Sequence, residues 1–250
     1  MFRREDRDDH VLVTMAHGKA NVLDTEFLLG LSETLEILER DSVPAVVLTG
    51  QGRIFSAGVD LVRVAEGGAS YLESFLPALD EALGRLFRFN RPLVAAINGH
   101  AIAGGCIIAL AADAKILATG GGRMGVPELS VGVPFPATAL EIVRFSITPR
   151  ALQTVVYGGG TYDAETALAF GFADELCSPE ELLERAIARA RSLAAIPRVS
   201  FELTKSELRA HAGRLMADEK ARLGASVRRA WASPPVLEAL RAYVARTLGK

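Results

Sequence analysis

Between Pro92 and Ala112 the chain runs for 21 residues without a single Asp, Glu, Lys or Arg. That stretch constrains the fold more than any other. Its length would cross a bilayer, but Asn98-Gly99-His100 interrupts it and Ala103-Gly104-Gly105 follows closely. Such residues punctuate rather than continue a span. The run therefore reads as two buried elements joined by a turn: a strand over Leu93 to Ile97, then a helix from about Gly104 to Ala112. A strand that is apolar on both sides belongs inside a sheet covered on both faces.

The surrounding segments repeat the theme. Val11 to Ala16, Ala45 to Thr49 and Lys115 to Ala118 read as further strands. Asp24 reads as the N-cap of a helix whose apolar residues Phe27, Leu28, Leu31, Leu35 and Leu38 fall at helical spacing. A second helix is expected over Tyr71 to Phe87, with a kink or break at Pro77. Gly120-Gly121-Gly122 and Gly158-Gly159-Gly160 read as turns. Alternating strands and helices predict an α/β fold with crossover connections. After Pro134 helices dominate. Thr148-Pro149 and Ser233-Pro234 read as N-cap and first-turn pairs, and Ser178-Pro179-Glu180-Glu181 as a capping box. No repeat of 20–50 residues is present.

Charge is unevenly placed. Residues 1–183 carry 14 basic and 24 acidic side chains, whereas residues 184–250 carry 14 basic and 6 acidic ones, so a −10 body precedes a +8 tail. The tail either packs on the body or a neighbouring subunit, or lends some cations to an anionic ligand such as a phosphate. A net charge of −2 argues against a nucleic-acid binder. The densely charged start, Met1 to Asp9, has no apolar core for a targeting signal. The expected location is the cytoplasm, with no membrane partner. Two cysteines, Cys106 and Cys177, exclude a disulfide framework, and the four histidines show no metal-ligand spacing.

Phosphate-binding loops, dinucleotide fingerprints, metalloprotease helices and nucleophile elbows are absent. Two features remain. The segments Phe55-Ser56-Ala57-Gly58-Val59-Asp60-Leu61 and Asn98 to Cys106 place small residues beside helix starts, where backbone N–H groups lack partners. Two such groups aimed at one point would form an oxyanion hole; alternatively the glycines only permit tight turns and close packing. Glu128 is the only charged residue between Arg123 and Glu141. Desolvation would raise its pKa and suit it to acid/base work, or it is an exposed side chain on an otherwise buried loop.

Taken in order, these segments resemble the crotonase superfamily of enoyl-CoA hydratases and isomerases, over essentially the whole chain. Lys19-Ala20-Asn21-Val22-Leu23 is similar to the family's K-A-L-N-A-L segment, Phe55 to Leu61 to F-x-A-G-x-D-[LI], and Asn98 to Ala112 to N-G-x-x-x-G-G-G-x-x-x-A, with Ala103 replacing the first of three glycines. Val126-Pro127-Glu128 stands where the family carries a catalytic Glu. The resemblance implies a spiral of β-β-α repeats over residues 1–195 and a helical region over 196–250 that assembles trimers or dimers of trimers. It implies an acyl-CoA thioester substrate in fatty-acid metabolism and no cofactor beyond the CoA the substrate carries. It places Val59 and Gly104 as the two oxyanion-hole donors and Glu128 as the catalytic acid/base. It puts Ala20, Ala57, Asp60 and Leu61 near the CoA adenine, and Lys205 near a phosphate. Assembly also fits the apolar tail residues Val227, Trp231, Leu237, Leu240, Val244 and Leu248.

One departure from the family pattern matters. The hydratases use two glutamates, and the first would fall at Ile107, which here fits an apolar helix as packing or pocket wall. The position of another carboxylate in some members is Pro136. A single Glu resembles the Δ3,Δ2-enoyl-CoA isomerases, with Pro134-Phe135-Pro136 expected to wall the acyl pocket. The alternatives are a hydratase and a catalytically weak acyl-CoA-binding protein.

Overall fold

The computed structural model describes residues 1–247. In chain order the elements are β1 (Phe2–Asp6), β2 (Val11–Met15), β3 (Val22–Leu23), α1 (Thr25–Arg40), β4 (Val46–Gly50), β5 (Ile54–Ser56), β6 (Gly58–Val59) and α2 (Leu61–Arg88). They continue with β7 (Leu93–Ile97), β8 (His100–Ile102), α3 (Gly104–Leu110), β9 (Ala114–Ala118), β10 (Met124–Gly125), α4 (Glu128–Val131) and α5 (Ala137–Ser146). The last third holds α6 (Leu152–Gly158), β11 (Thr161–Tyr162), α7 (Ala164–Phe170), β12 (Glu175–Cys177), α8 (Leu182–Ala194), α9 (Arg198–Trp231) and α10 (Pro234–Thr247).

The strands sort by their place in each repeat. Six strands form one sheet of order β1-β2-β4-β7-β9-β12, parallel apart from the β1–β2 pair. The others form two smaller sheets, β11-β10-β8-β5 and β3-β6. In β2-β3-α1, β7-β8-α3 and β9-β10-α4 the chain repeats a β-β-α unit with one strand in the large sheet and the next in a small one, and β4-β5-β6-α2 adds one short strand. Side chains alternate across the large sheet: Val46, Leu48, Ala95 and Ile97 join the main core, while Val47, Val94, Ala96 and Ile116 pack with Leu182, Ala186 and Ala190 of α8. Burial of both faces explains why these strands are predominantly apolar.

Several local details differ from the sequence reading. The helix expected from Tyr71 begins at Leu61, and its break lies at Gly68 (φ 54°, ψ −142°) rather than at Pro77. Glycine tolerates that conformation. Pro77 and Glu73 lie on the exposed face, so water can meet the carbonyl that lacks its helical partner. The helix after Thr148-Pro149 begins at Leu152, because those residues form the preceding turn. Glu181 reaches back to the Ser178 N–H (3.2 Å), but the Ser178 hydroxyl donates to that carboxylate instead of capping. The Ser233 hydroxyl donates back to the Ala230 carbonyl.

The tail packs on the body by specific contacts. Lys205 Nζ and Arg209 Nη2 of α9 donate to the two oxygens of Asp113 (2.6 and 2.8 Å), and Lys205 also donates to Arg91 O (2.9 Å). Lys205 is therefore a buried structural cation and is not placed to receive a phosphate. Of the apolar tail residues, Trp231, Leu237 and Leu240 are buried within this same chain and do not form a free face. Leu248 lies outside the described residues. No helix among the described residues is long and apolar enough to cross a membrane.

Candidate active site

The segment 20–23 is stitched to the loop 55–60 by polar side chains. Asn21 Nδ2 donates to Phe55 O (3.0 Å), Ser56 Oγ donates to Asn21 O (2.7 Å), and the Ala57 N–H donates to Ala20 O (2.9 Å). On the other side, Asn98 accepts from the Gly50 N–H (3.1 Å) and donates to Gly52 O (2.8 Å), fixing the turn after β7. The two loops then meet backbone to backbone. Gly58 has φ +83°, and a Cβ there would stand 2.5 Å from Ile102 O. A Cβ on Gly105 would stand 2.5 Å from the Ser56 side chain. Close packing is thus one reason for these glycines.

The same packing brings the backbones of Val59 and Gly104 to the wall of one cleft. In the parallel β3–β6 pair, Leu23 sits opposite Val59, and its carbonyl receives the Asp60 N–H at 3.0 Å. Alternation along a strand then turns the Val59 N–H away from β3. Gly104 is the first residue of α3, so its N–H has no partner within the helix. It lies 3.2 Å from where a Gly58 Cβ would be. The geometry has a local cost: Ala103 adopts φ 50°, ψ −128°, a region suited to glycine.

Glu128 opens the short helix α4, whose end is set by Gly132 at φ 95°; the Gly132 and Val133 N–H groups donate to Glu128 O. The side chain is turned inward. The residue is 8% exposed, and its Oε2 has no hydrogen-bond partner. Burial pushes its carboxyl up to about 8, partly opposed by its own backbone N–H. Of the two readings of Glu128 left by the sequence, the buried one holds. Cys106, fully buried, has its thiol raised by burial and by the nearby Glu128, so it is inert at neutral pH.

These groups share one cleft, lined mostly by apolar side chains. Val59, Gly104, Glu128 and Ile107 all line it, as do Ala57 and Leu61. Ala20 and Asp60 stand behind its wall: Ala20 holds the Ala57 N–H, and Asp60 caps α2 by accepting from the Arg63 N–H (3.0 Å). Phe135 departs from expectation. It faces a neighbouring groove with Leu140, Leu215 and Leu223, while Val133 and Pro136 line the cleft in its place. Pro136 precedes α5 in extended backbone, where successive side chains point to opposite sides, so Pro136 meets the cleft and Phe135 the neighbouring groove. Glu128 is the one carboxylate among the described residues lining the cleft, and the position opposite it in the family pattern holds buried Ile107. Among the described residues no cluster of three His, Cys, Asp or Glu side chains could hold a metal.

Sequence reasoning missed part of the wall. Leu79 and Leu83 of α2 line the cleft, and their i, i+4 spacing marks one helix face. Trp231 and Tyr243 also line it, from more than 100 residues beyond Glu128 in the chain, and no local pattern announces them.

The family model for enoyl-CoA hydratase/isomerase matches residues 8–231. A putative enoyl-CoA hydratase of Thermus thermophilus is 34% identical over 215 residues, covering 84% of each chain. The human mitochondrial enoyl-CoA delta isomerase 1 is 33% identical over 205 residues, covering 80% of this chain and 68% of its own. The crystal structure of human mitochondrial delta3-delta2-enoyl-CoA isomerase superposes with a TM-score of 0.94 at 26% identity, over 99% of this chain and 98% of the other. With the crotonase spiral, the backbone donors and the buried glutamate in one cleft, the chain belongs to the enoyl-CoA hydratase/isomerase family.

Proposed function

We propose that this enzyme moves the double bond of a 3-enoyl-CoA to the 2-position, with Glu128 as the sole proton shuttle. The observation that carries the reading is the lone buried carboxylate, with Ile107 where a partner acid would stand. The thioester oxygen is received by the Val59 and Gly104 N–H groups. Ionised Glu128 takes a proton from C2, the C–H electron pair forms the C1–C2 double bond, and negative charge moves onto the thioester oxygen. The protonated Glu128 then returns the proton at C4. The double bond ends between C2 and C3, conjugated to the carbonyl, with no net gain of atoms. Backbone donors fixed in a water-poor cleft stabilise the dienolate because they need no reorganisation as charge develops.

Hydration asks for more: one group must activate water while another delivers a proton to carbon. A single carboxylate among apolar walls is poorly equipped for both. The CoA portion would lie along Ala57 and Leu61, with Ala20 and Asp60 behind, and CoA arrives as part of the substrate, so the reaction as written uses no further cofactor. A trimer or dimer of trimers in the cytoplasm is the setting we propose for it.

One finding favours a second reading. The Thermus relative, named a putative hydratase, is as similar in sequence as the human isomerase. The two are separated by product. With 3-hexenoyl-CoA the expected product is 2-hexenoyl-CoA, and Glu128→Gln should lose about 100- to 10,000-fold in turnover. Unchanged turnover in that variant rejects the assignment. Rapid formation of 3-hydroxyhexanoyl-CoA from 2-hexenoyl-CoA would establish the hydratase instead.

A further inference from the structure

Trp231 is the only tryptophan in the chain. It ends the 34-residue helix α9, is 2% exposed, and lines the same cleft as Glu128. Its indole is held in place: Nε1 donates to Pro134 O at 2.9 Å. That carbonyl belongs to the turn whose Pro136 also lines the cleft. In the same core, α10 supplies buried Leu237 and Leu240 and presses Ala239 against the end of α4, where a Cβ on Gly132 would stand 3.1 Å from the Ala239 Cβ. The indole is thus both buried and hydrogen-bonded.

If the thioester oxygen is held by Val59 and Gly104 and CoA leaves past Ala57 and Leu61, the acyl chain must run beyond Glu128. The walls there are Leu79 and Leu83 from α2, Val131 and Val133 after Glu128, Ala139 of α5, and Trp231. Asp80, next to Leu79, faces a different groove, where it pairs with Lys220 and Thr138. These walls are apolar, and of the two aromatic side chains that line the cleft, Trp231 and Tyr243, the indole is the one anchored by a hydrogen bond to the acyl-side turn.

We infer that Trp231, braced by the Pro134 carbonyl, is the end wall of the acyl pocket and sets the length of acyl chain the enzyme accepts. The inference rests on the substrate orientation proposed above. It does not require isomerase chemistry, since any acyl-CoA bound through the same two donors would meet the same wall. The physical basis is the stiffness of a packed interior: a chain longer than the pocket must displace a side chain that is both close-packed and hydrogen-bonded.

Because no other tryptophan is present, the fluorescence of the intact protein reports on this residue directly. Free CoA and then saturated butanoyl-, hexanoyl-, octanoyl-, decanoyl- and hexadecanoyl-CoA would be titrated in turn, with affinities measured by calorimetry. The expected result is no spectral change with CoA or butanoyl-CoA, a shift once the chain reaches the ring, and weaker binding beyond that length. The same spectral response for every ligand, CoA included, would overturn the inference. In catalysis, Trp231→Leu should raise the ratio of kcat/KM for 3-hexadecenoyl-CoA to that for 3-hexenoyl-CoA by at least ~10-fold, while Ala139→Leu should move it the other way. A ratio unchanged in folded Trp231→Leu also overturns it. Should that variant not fold, the fluorescence series and Ala139→Leu decide. If acyl chains of one length shift the fluorescence yet no 2-enoyl product forms, the isomerase reading fails and the end-wall assignment stands.

Discussion

Two carboxylates sit deep in this protein, 15 positions apart, and they have opposite fates. Asp113, at the start of β9, is fully occupied: its oxygens accept from the Leu93 N–H (2.8 Å), Lys205 (2.6 Å) and Arg209 (2.8 Å). Arg209 also stacks 4.5 Å from the Phe87 ring and donates to Ala111 O. Glu128 is as deeply placed but has an oxygen with no partner. In Asp113 the desolvation cost is offset by two cations, and the result is a fixed joint between body and tail. In Glu128 no cation offsets it and only the residue's own backbone N–H opposes it, so the group holds its proton to about pH 8. A carboxylate already accepting three hydrogen bonds, two of them from cations, is a poor base toward a substrate; one with an unpartnered oxygen is free to take a proton, and burial raises its basicity as well.

The contrast can be broken from either side. Replacing Glu128 by Gln keeps the shape and removes the base; the expected loss of turnover, about 100- to 10,000-fold, is the largest effect. Asp113→Asn should act on stability. It leaves Lys205 and Arg209 buried without a countercharge, an expected cost of about 3–5 kcal/mol read by denaturant or thermal unfolding, while the protein that remains folded keeps its pH profile.

The third test uses pH. Glu128 has a folded pKa of about 8 against an ordinary 4.5. Between those values the unfolded chain has released a proton that the folded one retains, so this group lowers stability as pH rises through that window, and the penalty is constant above about pH 8. Glu128→Gln should match the wild type below about pH 4.5 and exceed it by up to a few kcal/mol above pH 8. In the same window the wild-type activity should rise with pH as the base ionises. Activity independent of pH there would mean that Glu128 is not the base.

The smallest effect concerns the oxyanion loop. Ala103 holds φ 50° beside Gly104, so Ala103→Gly should relieve strain of about 1 kcal/mol, seen as a small rise in Tm with KM little changed.

Much of this arrangement was legible in the residues. The strands were visible because both faces of the large sheet are buried, making Leu93–Ile97 apolar throughout and Val46–Gly50 buried throughout, with Thr49 its one polar side chain. The two loops were visible because close backbone approach demands glycine at Gly58 and Gly105. Pro77 misled because on the exposed face of α2 the Glu73 carbonyl can lean out to water, which relieves both the lost hydrogen bond and the ring clash. Lys205 misled because a basic side chain looks alike whether it meets phosphate or aspartate. Phe135 misled because an apolar residue next to a site can serve either of two cavities.

The residues alone carry the alternation of strands and helices, the glycine-bearing loops and the lack of an acid at Ile107, since each depends on local backbone freedom, side-chain period or residue identity. Only the tertiary structure decided that Glu128 faces inward unpaired while Asp113 is bound on both oxygens, and that Trp231 and Tyr243 return from the tail to wall the cleft. Partners and burial are properties of what the fold brings alongside, from α9 and α10 far along the chain, and no window of neighbouring residues contains them.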